Sequence, residues 1–292
     1  MKLLFTIPHF FVRYPERFAS SRGYGSYRSS PQSRAFSLAE LIVGLYSLFG
    51  NRTTATRISE EKQLVPVLFE QNPSYEMDIV ICTMQDWHVL DGLPIEPNMY
   101  HHHAVSCEPM MLGFECQRQL AERFGQYDYY CFMEDDLVLQ DHLFFLKLAE
   151  FNRLYGNDCL LQPNRFELSG RAPFKKAYVD GALHVGETQA FQDVSVDPVL
   201  HGETIFGFNT YFERALNPHS GCFFLNAEQM KAWMDSPIFG DESYPYYTPL
   251  ESSATLGIMK MFKLYKPAGS CHHFLEIRHR DTRFIESLRP AE

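Results

Sequence analysis

Apolar residues in this chain fall into short dense runs separated by stretches of helical period. KLLFTI (2–7), MDIVICTM (77–84), DYYCFM (128–133) and SGCFFLN (220–226) are apolar nearly throughout. Runs of that length, bounded by proline, glycine or charge, predict strands buried on both faces. MYHHHAVSC (99–107) also has a strand-like pattern. Between these runs the period changes. SLAELIVGLYSLFG (37–50) predicts a helix, with Ser37 and Glu40 spaced as a capping box and Gly50 as its stop. EPMMLGFECQRQLAERFG (108–125) carries Pro109 at the first helical position, and Leu112, Cys116, Leu120 and Phe124 recur at every fourth residue before Gly125. DHLFFLKLAEFNRLYG (141–156), NAEQMKAWM with Asn226 and Gln229 spaced as a cap, and YTPLESSATLGIMKMF (247–262) predict further helices. Residues 51–76 and roughly 160–215 give no clear period.

The order strand, helix, strand, acidic cluster, helix predicts an α/β fold: an open, mostly parallel sheet with helices on both faces, a Rossmann-like three-layer sandwich. The 292 residues, 45% hydrophobic and 15% aromatic, suffice for a sizeable core. A net charge of −10 argues against general nucleic-acid binding, which needs a basic surface. Seven cysteines, odd in number, without a CxxC pair and mostly in apolar runs, predict reduced core thiols in a cytoplasmic protein. MKLLFTIPHFFVRYPER has one basic residue before a short apolar run broken by Pro8 and His9, which fits a first strand better than a signal peptide. No stretch approaches the length of a membrane span. No repeat, low-complexity tract or linker divides the chain.

FMEDDLVLQ (132–140) carries the sharpest chemical signal. Glu134, Asp135 and Asp136 follow the third core run directly. In open α/β sheets the working loops lie at the carboxyl ends of strands. Carboxylates crowded there repel, and a hard divalent cation with phosphate oxygens completing its shell resolves the repulsion. The plain alternative is a solvated acidic turn in which Asp136 or Asp141 caps the next helix. A second signal follows the first strand, where RYPERFASSRGYGSYRSSPQSR holds Arg13, Arg17, Arg22, Arg28 and Arg34 with Gly23 and Gly25 against the single acid Glu16. Arginine forks neutralise a diphosphate well, and glycines let backbone approach it. A surface loop with solvated arginines explains the same residues equally well.

A first strand at the extreme N-terminus, then a strand ending in an Asp-x-Asp-like element before a helix, resembles the GT-A glycosyltransferases, closest to the broad family-two, inverting type. The resemblance is architectural and covers most of the chain. Its one sharp motif is three residues long, and Glu134 stands where the family has the first Asp. It implies one catalytic domain, with 1–136 as the nucleotide-binding half and 137–292 as the acceptor half. The activity it implies is a metal-dependent, hexosyltransferase-type transfer from a nucleotide-sugar donor to a saccharide or other hydroxyl acceptor, with Mn²⁺ or Mg²⁺. Asp136 would then coordinate the metal, and Glu134 would contact metal or ribose with Asp135 in the same donor-binding element. Arg22, Arg28 and Arg34, nearest the glycines and the helix, are the diphosphate candidates. Many GT-A enzymes carry a late histidine as metal ligand, a role that falls to His273 in SCHHF (270–274). Adjacent side chains on an extended segment point opposite ways, so only one of His272 and His273 can face a site. The same alternation makes His101–His103 structural.

Inverting transfer needs a carboxylate to take the acceptor proton. In the family this is often an acid opening a late helix, which implies Glu251; Asp241 and Glu242 are next. Thr248, Pro249, Leu250 and Glu251 also spell a capping box with proline at its first position, so Glu251 has a purely structural explanation too. YPYYTP (244–249) and FGFNTYF (206–212) place tyrosines suited to polyols in predicted loops. Ser220 and Gly221 would leave room for the donor sugar. The alternatives are a sugar nucleotidyltransferase, whose glycine-rich basic loop should follow the first strand directly, and a non-catalytic calcium- or carbohydrate-binding domain.

Overall fold

The computed structural model describes residues 1–12, 30–50, 56–66, 75–171 and 175–287. In chain order its first half comprises β1 (Lys2–His9), α1 (Pro31–Phe49), β2 (Thr56–Ile58), β3 (Leu64–Pro66), β4 (Glu76–Met84), β5 (His101–Val105), α2 (Leu112–Glu122), β6 (Tyr129–Met133), β7 (Leu137–Val138) and α3 (Phe144–Tyr155). There follow β8 (Cys159–Leu161), β9 (Asn164–Leu168), β10 (Lys176–Tyr178), α4 (Val185–Gln189), β11 (Val199–Ile205), β12 (Phe208–Arg214), β13 (Cys222–Asn226), α5 (Ala227–Met234), α6 (Pro249–Met261), β14 (Lys263–Pro267), β15 (Glu276–His279) and α7 (Arg283–Ser287).

The class is mixed α/β. A five-stranded central sheet runs in the order β13-β6-β1-β4-β5. β1 is parallel to both β4 and β6, β5 is parallel to β4, and β13 closes the edge antiparallel to β6. β1 and β6 are apolar along nearly their whole length because helices cover both faces. Leu3, Phe5 and Ile7 share one buried cluster with α1 and α3 side chains such as Leu41, Leu45, Phe145 and Leu148. Leu4 belongs to the opposite cluster, with Leu112 and Cys116 of α2, Trp233 of α5 and Ile258 of α6. The first cluster also includes Phe212, Tyr265, Leu275 and Ile277, so one core runs from the N-terminal strand to the last.

The stretch without a clear period forms short strands in two further sheets, ordered β10-β9-β15-β7 and β11-β12-β14-β8. Both mix parallel and antiparallel pairs, so the parallel character belongs to the central sheet. The registers then decide what meets what. Thr6 pairs with Phe132, which sets His9 level with Asp135 three residues farther along each strand. Cys222 pairs with Met133, which puts Gly221 opposite Glu134. His279 pairs with Leu137, beside Asp136.

Several local expectations change. α1 starts at Pro31, not Ser37: Ser30 is the N-cap, its hydroxyl accepting from the Ser33 N–H at 3.1 Å. Ser37 is a buried interior residue, and the Glu40 carboxylate accepts instead from Arg278 (3.1 Å) and Arg280 (2.6 Å), so no capping box forms there. β1 continues through Pro8 to His9; its ladder with β6 has ended at Thr6, so on that side the missing proline N–H leaves no bond unmade. SCHHF is a short 3₁₀ helix, Gly269–Phe274, not an extended segment. The Asn226–Gln229 capping box of α5 does form. All seven cysteines are unpaired, and all but Cys107 are buried. Among the described residues no helix is long and apolar enough to cross a membrane.

Helices α2 and α6 cross at Gly113, where an added Cβ would lie 1.9 Å from Ser253 Oγ and 2.6 Å from Ser253 Cβ. The hydrogen there lets two helices that close one face of the sheet touch. Gly113→Ala should therefore lower the unfolding free energy in urea by about 1–3 kcal/mol despite the better helix propensity of alanine. A variant as stable as the parent would show that the crossing yields without strain.

Candidate functional site

The turn after β6 is tied at both ends by backbone: Glu134 N–H donates to Gly221 O at 2.9 Å, and Leu137 N–H to Glu134 O at 3.3 Å. The three acids on it point to different partners. Asp135 turns toward β1 and α1, where its Oδ2 meets His9 Nδ1 at 2.5 Å and the Arg34 guanidinium. His9 is fully enclosed at 1% exposure, and its Nε2 accepts the Val89 N–H at 3.3 Å. That leaves the ring proton on Nδ1, donated to Asp135. Burial depresses the His9 pKa despite the Asp135 carboxylate beside it, so the ring is neutral.

Asp136 turns toward the second sheet. Its Oδ2 lies 3.3 Å from His279 Nε2, while Oδ1 is buried and accepts no hydrogen bond among the described residues. The side chain as a whole keeps 25% of its surface exposed, so solvent reaches its other edge. Burial alone would raise its pKa. The hydrogen bond and charge of His279, with Arg34 and Arg165 behind it, outweigh that and hold Asp136 well below the usual range. His279 in turn sits between two acids, its Nδ1 2.8 Å from Glu167 Oε1. Burial opposes its charging, but the bond and charge of Asp136 and the bond to Glu167 raise its pKa. Glu167 is wholly buried and is held by the Ile285 N–H at 2.8 Å.

Glu134 faces the opposite fate. Its Oε2 is 4.0 Å from Arg165, its Oε1 is 3.9 Å from His219 Nε2, and Oε1 accepts no hydrogen bond among the described residues. Burial first, then the Asp136 charge, pushes its pKa up to about 8 against the pull of Arg165 and His279. Gly221 makes room for it: φ there is +64°, and a Cβ would lie 2.5 Å from Glu134 Oε2. Behind these groups Asp180, 2% exposed, binds Arg165 (Nη2 2.9 Å) and Lys266 (3.0 Å). Lys266 also donates to His219 O at 3.1 Å. Burial, with Arg165 nearby, drops the His219 pKa to about 3, and its Nδ1 lies 3.0 Å from Thr255 Oγ1 on α6.

Of the residues singled out from sequence, Glu134, Asp135, Asp136 and Arg34 come together here. Arg22 and Arg28 lie outside the described residues. The helical turn at 269–274 leaves His272 and His273 both exposed, and the histidine beside Asp136 is His279. Glu251 opens α6, where the Thr248 hydroxyl donates to its carboxylate and Thr248 Oγ1 accepts the Leu250 N–H at 3.3 Å. It lies one helical turn from Thr255 and is close enough to Glu134 to raise that residue's pKa. The His101–His103 side chains find separate partners: Asp78 at 3.7 Å, Thr83 at 2.7 Å and Glu115 at 2.8 Å. Among the described residues no group of three or more His, Cys, Asp or Glu could by itself hold a metal ion.

His9, Arg165, Glu167, Asp180, His219, Lys266 and His279 were not singled out from sequence. Their signal is faint but present. His279 shares a strand face with buried Ile277, and Glu167 shares one with Arg165, as polar positions facing inward do. No protein-family model matches this chain, and no curated protein is similar enough to count as a relative.

The raised Glu134 pKa has a sign in stability. The folded state holds this proton more tightly than the unfolded chain, so the contribution is complete below about 4.5 and is lost as pH rises through about 8. Unfolding free energy should fall by about 2 kcal/mol between pH 6 and pH 9, and most of that fall should vanish in Glu134→Gln. An identical alkaline slope in the two proteins, followed by urea titration, would place the proton elsewhere.

Proposed function

We propose that this chain is a metal-dependent glycosyltransferase of GT-A type, moving a sugar from a nucleotide-sugar donor to a hydroxyl acceptor with inversion. One observation carries the proposal. The turn after β6 presents two buried carboxylate oxygens without hydrogen-bond partners among the described residues, Glu134 Oε1 and Asp136 Oδ1, and Arg34, Arg165 and His279 surround it. Orphaned buried acceptors cost about 1–3 kcal/mol each, which a cation relieves directly.

Position supports the same conclusion. The chain runs outward from β1 through β4 to β5 and then returns across the sheet to β6 on the other side of β1, so the strand order reverses between β1 and β6. The carboxyl ends of strands at such a switch point form the usual ligand crevice of open α/β sheets. The antiparallel β13 beside the acid-bearing strand also suits the proposed fold type.

The donor set fits Mn²⁺ or Mg²⁺. These hard ions take one or two carboxylates and complete their shell from substrate phosphates and water, so a full protein cage is not needed. Asp136, ionised and partly open to solvent, would hold the ion, with Glu134 adjacent. When bound, the metal would act as a Lewis acid that offsets charge on the departing diphosphate. The chain's own cations share that task, since Arg34 and Arg165 flank the turn and remain charged. His279 keeps Asp136 ionised, and Glu167 fixes the His279 ring. Glu251 is the proposed base for the acceptor hydroxyl. The Thr248 hydroxyl holds its carboxylate in place at the start of α6.

Thermal melts with UDP, GDP, CDP and ADP, each with and without Mn²⁺, test this. One nucleotide should raise the midpoint by roughly 3 °C or more with metal present. Asp136→Ala should lose the metal-dependent part while retaining a cooperative transition. If no diphosphate stabilises the protein under either condition, the proposal fails. Release of pyrophosphate rather than a nucleoside diphosphate during turnover would point to a nucleotidyltransferase instead.

A further inference from the structure

The tyrosine turn before α6 is unusual in what it leaves uncovered. Tyr244 and Tyr247 keep 54% and 58% of their surface exposed, while Tyr246 between them is 2% exposed. Tyr247 is a non-glycine residue at φ 57°, a conformation that costs about 1 kcal/mol or more. The turn is nonetheless anchored. Tyr246 O accepts the Ser252 hydroxyl at 2.7 Å, its ring meets Phe191 edge-on at 6.0 Å and Tyr247 at 4.8 Å, and the Tyr247 hydroxyl donates to Glu187. The Tyr246 hydroxyl is buried and has no hydrogen-bond partner among the described residues. Ser252, which holds Tyr246 O, and Thr255, which meets the His219 beside Glu134, both lie in the first two turns of α6, so the tyrosine turn opens next to the site.

We infer that this turn, with Glu187 and Glu251, is an acceptor subsite built for a pyranoside. The inference rests on the transferase proposal for the word acceptor and deepens it by naming the acceptor class. A pyranose ring has one face of C–H groups and a rim of hydroxyls. The exposed tyrosine rings offer flat apolar faces, and carboxylates and phenols stand beside them to receive the rim. A fatty alcohol would strip water from Glu187 and Glu251 and return no hydrogen bond, an unfavourable exchange. The strain at Tyr247 fits the same role, because the turn holds an aromatic ring outward where burial would have been more stable.

The test is saturation-transfer NMR on the whole chain, without nucleotide or metal. The probes are methyl α- and β-pyranosides of glucose, galactose, mannose and N-acetylglucosamine, with sorbitol and 1-octanol as controls. At least one pyranoside should take up saturation, strongest on the C–H groups of one ring face. Tyr244→Ala and Tyr247→Ala should each reduce the signal at least three-fold. Tyr247→Phe, which keeps the ring and loses only the Glu187 bond, should retain most of it and serves as the folding control. No pyranoside signal above sorbitol, a signal indifferent to both alanine variants, or a preference for octanol overturns the inference. Saccharide binding in a protein that binds no nucleotide would leave this subsite standing and remove the transferase proposal. Nucleotide binding without saccharide binding would do the reverse.

Discussion

Three consecutive carboxylates can occupy one enclosed turn only if each meets a different electrostatic environment. Here the division is by direction. Asp135 turns back to the first strand and is held by a neutral histidine and an arginine. Asp136 turns to the second sheet and is ionised against His279. Glu134, left with Arg165 at 4.0 Å and crowded by Asp136, holds its proton up to about pH 8. One turn thus holds a firmly ionised carboxylate two residues from an easily protonated one, and both have an oxygen without a partner among the described residues. The proposed cation, arriving with its own phosphate ligands, would draw on this difference.

The rest of the architecture makes that division possible. Parallel pairing of β1 with β6 delivers His9 to Asp135, and antiparallel β13 delivers Gly221 to Glu134, where a side chain would collide with the carboxylate. The small second sheet brings Arg165, Glu167 and His279 to the far side of the turn. Asp180 then binds both Arg165 and Lys266, so the cations nearest Glu134 are themselves fixed. The site draws on both halves of the chain.

Sequence alone revealed the parts of this that are local. The apolar runs became β1, β4, β6 and β13, and the Asn226 and Thr248 caps start their helices as spacing predicts. The acidic triplet announced itself because crowding of like charge is visible without a fold. The partners were not legible, since they come from far away in the chain. His9 and Asp135 are 126 residues apart, and the His279–Glu167 contact spans 112. Such pairs follow from strand register, which local pattern does not specify. Two errors were local all the same. Ser37 and Glu40 match a capping box by type, yet Ser30 before Pro31 starts the helix earlier, where proline suits the first turn. Gly269 begins a 3₁₀ turn in a segment assumed extended, so strand alternation does not choose between His272 and His273.

The division of charge can be observed directly. In a sample with ¹³C-labelled Glu and Asp carboxyl groups, the account predicts one glutamate signal that remains that of a neutral acid at neutral pH and titrates near 8, absent in Glu134→Gln. Adding Mg²⁺ with the stabilising nucleoside diphosphate should move that titration to lower pH, as the cation replaces the proton. A spectrum in which every glutamate carboxyl is already ionised by pH 6 would contradict the account.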